Sequence, residues 1–192
     1  GSVTLGFLAK TPKWTAFTAS MRIKYLFTCV FENVGVAMAT YCGQNLGAGK
    51  LDRVGQGVKA SLKIMLVFFV FTFAIIYPFA DYMMMLFVDS GEAEVVNLAA
   101  QYMRIANYFY PCLGLLTILR YSIQGLGYSN FSMLSGVMEM IARCGVSLWL
   151  VPAFAWYGVC YGDPVAWIMA DLFLIPAFVW LYKHLGKKLK QH

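Results

Sequence analysis

Apolar residues run along this chain in five long stretches, separated by short segments of glycine, proline and charge. From Trp14 to Gly43 the residues are apolar or small, broken by Arg22, Lys24 and Glu32. Ile64 to Ala80 carries no charge, and neither does Ile105 to Leu119 between Arg104 and Arg120. Phe131 to Pro152 carries Glu139 and Arg143, and Val165 to Lys183 carries Asp171. A helix needs about 20 apolar residues to cross the hydrocarbon of a bilayer. These runs predict helices over 14–43, 53–88, 92–125, 129–153 and 163–185. The runs are continuous and lack the period-two alternation of barrel strands. The predicted fold is therefore all-α, a polytopic transmembrane bundle of about five helices spanning 14–186. Residues 1–13 read as an incomplete N-terminal segment and 187–192 as a basic tail.

Composition strengthens this picture. Of 192 residues, 60% are hydrophobic and 12% charged, and mean hydropathy is +0.66. Soluble domains carry about 25% charged residues, so half the usual charge would have to cover an aqueous surface. Lipid needs no charge to face it. A soluble helical complex fits less well, because five apolar segments in succession exceed what one soluble core buries. The net charge of +6 would suit nucleic acid if it formed a patch, but the basic residues punctuate apolar runs, and no nucleic-acid partner is expected. The five cysteines, Cys29, Cys42, Cys112, Cys144 and Cys160, are odd in number and form no CxxC. They predict reduced packing thiols, not a disulfide or metal framework.

Charge placement predicts orientation. Cytoplasmic loops of membrane proteins carry the excess of Lys and Arg. With the basic tail inside, the segment holding Lys50, Arg53, Lys59 and Lys63 is also inside. The acidic segment Asp89–Glu94 and the segment near Asp163 are then outside. Only Lys10 and Lys13 disagree. The chain opens on Gly1 without a signal-peptide pattern, which reads as a processed or truncated start. The expectation is a multi-pass protein of the cell (inner or plasma) membrane with a cytoplasmic C-terminus.

Three segments carry a family resemblance. The first runs from Thr15-Ala-Phe-Thr-Ala-Ser-Met-Arg-Ile to Gly35-Val-Ala-Met-Ala-Thr-Tyr-Cys-Gly-Gln-Asn-Leu-Gly-Ala-Gly-Lys. The others are Ser122-Ile-Gln-Gly-Leu-Gly, and Ser135-Gly-Val-Met-Glu-Met-Ile-Ala-Arg with Pro164-Val-Ala-Trp. In order and distance, over residues 15 to about 185, they resemble helices eight to twelve of MATE (multidrug and toxic compound extrusion) exporters. The resemblance implies part of one six-helix lobe, the C-terminal one. It implies a second lobe as partner across a central cavity, and export of organic cations or drugs in exchange for sodium or protons. A flippase for lipid-linked precursors, or a membrane assembly subunit without transport of its own, is the alternative. Some MATE branches hold an acid in the tenth helix. Tyr108 to Leu119 has none, so that site is not carried over and the coupling ion stays open.

Charge inside a membrane helix costs a few kcal/mol on insertion scales and needs a reason. Glu32 shares a helix face with Thr28, Gly35, Val36 and Ala39. It reads either as a cation-binding or proton-titrating acid or as the structural partner of a neighbouring helix. Asp171 carries the same alternatives. Glu139 and Arg143, four apart, can pair as a packing or gating element. Arg120 reads as snorkelling to the interface, with pairing to an intramembrane acid as the other possibility. Pro111 and Gly114 are candidate kinks. Gly43, Gln44, Asn45, Gly47 and Gly49 read as a loop for tight reversal, not a phosphate cradle, since no strand precedes them and no GK[ST] ending follows. No catalytic constellation, metal cluster or cofactor site is expected.

Overall fold

The structure is a computed structural model that describes residues 12–86 and 93–189. Its elements are α1 (Pro12–Gly47), α2 (Leu51–Met85), α3 (Ala93–Tyr108), α4 (Tyr110–Gly125) and α5 (Ser129–Gly145). A π-helical turn (Val146–Leu150) follows, then α6 (Val151–Phe154), α7 (Trp156–Cys160) and α8 (Gly162–Leu189). The expectations for residues 1–11, for the acidic turn at 87–92 and for Lys190 lie outside the described residues.

Four helical stretches are long and apolar enough to cross a membrane: Thr15–Gly47, Leu51–Met85, Ser129–Phe154 and Gly162–Leu189. The third predicted helix, 92–125, is two helices of 16 residues each, α3 and α4. The break falls at Phe109, whose N–H reaches back only three residues, to Ala106 O. Pro111, second residue of α4, has no N–H to offer Asn107 O and crowds that carbonyl. Gly114 lies inside α4, where its missing side chain leaves room for Phe31 and Met65.

The predicted loop at Gly43–Gly49 is also shorter than expected. Gly43, Gln44, Asn45 and Gly47 all belong to α1, and the reversal is confined to Ala48–Lys50. Gly49 adopts φ +70°, Gly49 N–H bonds to Leu46 O, and Lys50 N–H bonds to Asn45 O. This is the Schellman arrangement, which needs a left-handed residue and therefore favours glycine. The end of α4 repeats it: Gly127 has φ +89°, and Tyr128 N–H bonds to Ile123 O. The expected loop at Trp156–Pro164 contains the short α7, entered through Ala155 at φ +50°.

α4 sits at the centre, packed against α1, α2, α5 and α8. Its residues Leu113, Leu116, Ile118, Leu119 and Ile123 are buried on more than one face. Its contact with α1 is a backbone contact: a Cβ on Gly125 would lie 2.2 Å from Ala39 O. Gly35, Ala39 and Gly43 form a four-residue-spaced small stripe on α1, the pattern by which membrane helices approach closely. Outside this core the surface is as apolar as the inside. Val67 is 71% exposed, Leu172 65% and Trp149 80%. Water would not tolerate such patches on a monomer; hydrocarbon does.

The α1–α4 contact is testable. Gly125→Val should force the two backbones apart and lower stability by about 1–3 kcal/mol. Gly136→Val, at a position with open space around it, should change little. Thermal unfolding in detergent checks both, and equal melting temperatures would disprove the close contact.

Candidate functional site

The charges that interrupt the helices come together. A cleft of about 190 Å³ between α1, α4, α5 and α8 is lined by Lys24, Glu32, Arg120, Glu139, Arg143 and Asp163. Leu113, Leu116 and Trp167 supply apolar wall.

At one end, Lys24 reaches from α1 to Asp163 at the start of α8, with Nζ–Oδ2 2.5 Å. Lys24 Nζ also donates to Tyr102 Oη (3.2 Å), and Tyr102 Oη donates to Asp163 Oδ2 (2.6 Å). The Lys24 and Asp163 side chains are only 7% and 16% exposed. One carboxylate thus ties α1, α3 and α8 together. Its other oxygen, Oδ1, lies 3.3 Å from Arg143 on α5. Arg143 in turn lies 3.5 Å from Glu139 Oε2, one turn back on the same helix. Glu139 Oε1 accepts from Arg120 Nη2 on α4, and Arg120 Nε donates to Ser135 Oγ at 3.0 Å. The result is a continuous ionic chain, Lys24–Asp163–Arg143–Glu139–Arg120, in which each carboxylate meets two cations.

Arg120 therefore does not snorkel. It turns inward because Glu139 and Ser135 offer a charge and an acceptor within reach. Glu139 and Arg143 are within ion-pair distance, but Glu139 also serves Arg120, so the pair is part of a network.

Glu32 differs from the other five. Its Oε2 accepts from Tyr121 Oη at 2.9 Å, and among the described residues no Lys, Arg or His lies within ion-pair distance of it. It is exposed on the cleft side of α1. Asp171 is buried in α8, two turns beyond Asp163, and is not part of the cleft wall. Its Oδ1 has no hydrogen-bond partner among the described residues, and it lies within electrostatic reach of Arg120 and Glu139. Gly43, Gln44, Asn45, Gly47 and Gly49 lie at the far end of α1. There Asn45 Nδ2 donates to Tyr41 O at 2.8 Å, a local helix bond. Pro111 stands at the α3–α4 break, and Gly114 faces Phe31.

Reading the sequence missed Lys24, Asp163 and Tyr102 as parts of the site. Lys24 was visible as a charge in an apolar run. Its partner lies 139 residues away, and no local spacing could find it. Asp163 reads as a loop residue, although an acid followed by Pro164 is also a helix-start signature.

A family model described as MatE matches residues 10–149, well over half of the chain. The chain belongs to the MatE family. Its long apolar helices make it a multi-pass membrane protein. No curated protein matches its sequence. Solved structures share its fold. An outward-facing multidrug resistance MATE family transporter of the MOP superfamily matches with TM-score 0.84 and 19% identity, over 98% of this chain and 42% of its own. An inward-facing conformation of such a transporter matches with TM-score 0.75 and 19% identity, over 99% and 45%. A MOP superfamily transporter from Pyrococcus furiosus, described as having a binding pocket of reverse polarity that suggests a different function, matches with TM-score 0.76 and 18% identity, over 98% and 43%. This MatE chain thus spans less than half the length of these transporters.

Removing Glu139 leaves Arg120 without an ionic partner, whereas Arg143 keeps Asp163. Glu139→Gln alone should cost on the order of 3 kcal/mol, as breaking a buried pair does. Adding Arg120→Gln should recover part of that loss. Additive losses in a double-mutant cycle, read from detergent melting curves, would count against the network.

Proposed function

We propose that this MatE chain forms the C-terminal lobe, less its first helix, of a cation-coupled antiporter. The transporter exports organic cations across the cell membrane in exchange for sodium or protons. The other lobe completes the cavity, and the C-terminus faces the cytoplasm. One observation carries the reading: of six charged groups in the cleft, Glu32 alone has no ionic partner among the described residues. A carboxylate in that position attracts whichever cation enters, substrate or coupling ion. The neighbouring ionic chain sets three cations against two carboxylates, and Glu32 balances its one excess positive charge across the cleft. Asp171, buried behind the cleft, is the second candidate for the coupling cation. Pro111 breaks the helix beside the cleft, where a rocking lobe could bend.

The basic segment Lys50–Lys63 and Lys187–Lys188 share one end of the bundle. Asp163, at the start of α8, belongs to the other. That division supports the cytoplasmic C-terminus.

Glu32→Gln, introduced into the complete transporter, should abolish ethidium efflux driven by a sodium or proton gradient. The protein should remain folded in the membrane at unchanged abundance. Varying the two gradients separately identifies the ion. Full efflux by the variant would remove Glu32 from the mechanism.

A further inference from the structure

Helix α2 carries a second organised surface, away from the cleft. Lys59, Lys63, Val67 and Phe71 follow one another at four-residue spacing, which places them along one helix face. All four are exposed. Val67 and Phe71 are 71% and 56% exposed, with Val70 beside them at 60%. The opposite face, Val54, Val58, Ser61 and Met65, is buried against the bundle. No described helix covers the outer stripe. Its order is specific: two turns of cation, then two turns of apolar side chain. Neither ammonium lies within ion-pair distance of a carboxylate among the described residues. Asp52 is the sole acid among the first 13 residues of α2.

The end of α8 adds charge of the same sign. Tyr182 Oη donates to Leu51 O at 3.4 Å, and a Cβ on Gly186 would lie 3.5 Å from Leu51. This brings Lys183, Lys187 and Lys188 to the same end of the bundle as the start of α2. Long lysine stems can lie on apolar surface while their ammonium groups reach the polar layer.

We propose that the outer stripe of α2 is a binding site for an anionic phospholipid. Lys59 and Lys63 hold the phosphate headgroup, and the acyl chain lies along Val67, Val70 and Phe71. A soluble anion would use the lysines but leave the apolar turns without purpose. A neutral lipid would use the apolar turns and leave two unpaired cations at the interface. An anionic lipid satisfies both halves in their observed order. The proposal is independent of what the cleft transports.

The test is competition between phosphatidylglycerol and phosphatidylcholine of identical acyl chains for the first lipid bound. It is read by native mass spectrometry on the full chain in neutral detergent. Each lysine near an anionic headgroup contributes about 1 kcal/mol, so the preference for phosphatidylglycerol should be roughly thirtyfold. K59Q/K63Q should reduce it to near unity. K59R/K63R should keep it, which separates lost charge from lost folding, and K187Q/K188Q should keep most of it. Absence of preference in the unmodified chain, persistence in K59Q/K63Q, or equal loss in K187Q/K188Q would overturn the proposal.

Discussion

Charge cannot stand alone in hydrocarbon, and the interior of this bundle is arranged around that constraint. Asp163 and Glu139 each accept from two cations, and the cations come from different helices. Lys24 belongs to α1, Arg120 to α4 and Arg143 to α5. Each pairing reduces the desolvation cost of both partners, and all except Glu139–Arg143, which lies within α5, also fix the relative position of two helices. Apolar packing between membrane helices is a weaker guide, because lipid tails compete equally well for any apolar face. The ionic chain and the close α1–α4 backbone contact are therefore the interactions that distinguish this arrangement from other ways of packing the same helices.

The same constraint governs the irregular backbone. Pro111 and Pro152 each remove an N–H from a helix that would otherwise satisfy itself. At Pro111 the helix breaks into α3 and α4. At Pro152 it widens instead, and Val151 N–H reaches back five residues to Val146 O. The break lies beside buried Tyr110, whereas the π-helical turn buries Val146 and Ser147 and leaves Leu148 and Trp149 exposed. Both flank the cleft. Arg143 lies one turn before the π-helical turn, and Leu113 and Leu116 follow the break. π-bulges in membrane and soluble helices often accompany functional sites, and this one follows half-exposed Arg143, the middle member of the ionic chain.

Glu32 gains its importance from this context. In an aqueous protein an exposed glutamate bonded to one tyrosine would be unremarked. Here five neighbouring charges are paired, and the exception faces the open space.

Fold class was legible in the sequence because solvent writes itself into composition. Five apolar stretches with little charge are sufficient to specify helices in lipid, whatever their order in space. The residues capable of chemistry were legible for the same reason, since any charge inside such a stretch is conspicuous: Glu32, Glu139, Arg143 and Asp171 needed only to be seen. Partners were not legible. Whether Arg120 reaches the interface or Glu139 depends on how far α5 stands from α4, and whether Asp163 belongs to a loop or a buried triad depends on α1. The five glycines and amides of the Gly43–Gly49 segment read as a loop because local propensity counts glycine as a breaker. Tertiary packing overrides it, since Gly43 lets α1 continue beside α4. The sequence alone determined that these helices live in hydrocarbon and which of their residues are charged. Only the tertiary structure decided which cleft charges pair with one another and which has no ionic partner among the described residues, because that depends on distances between segments up to 139 residues apart.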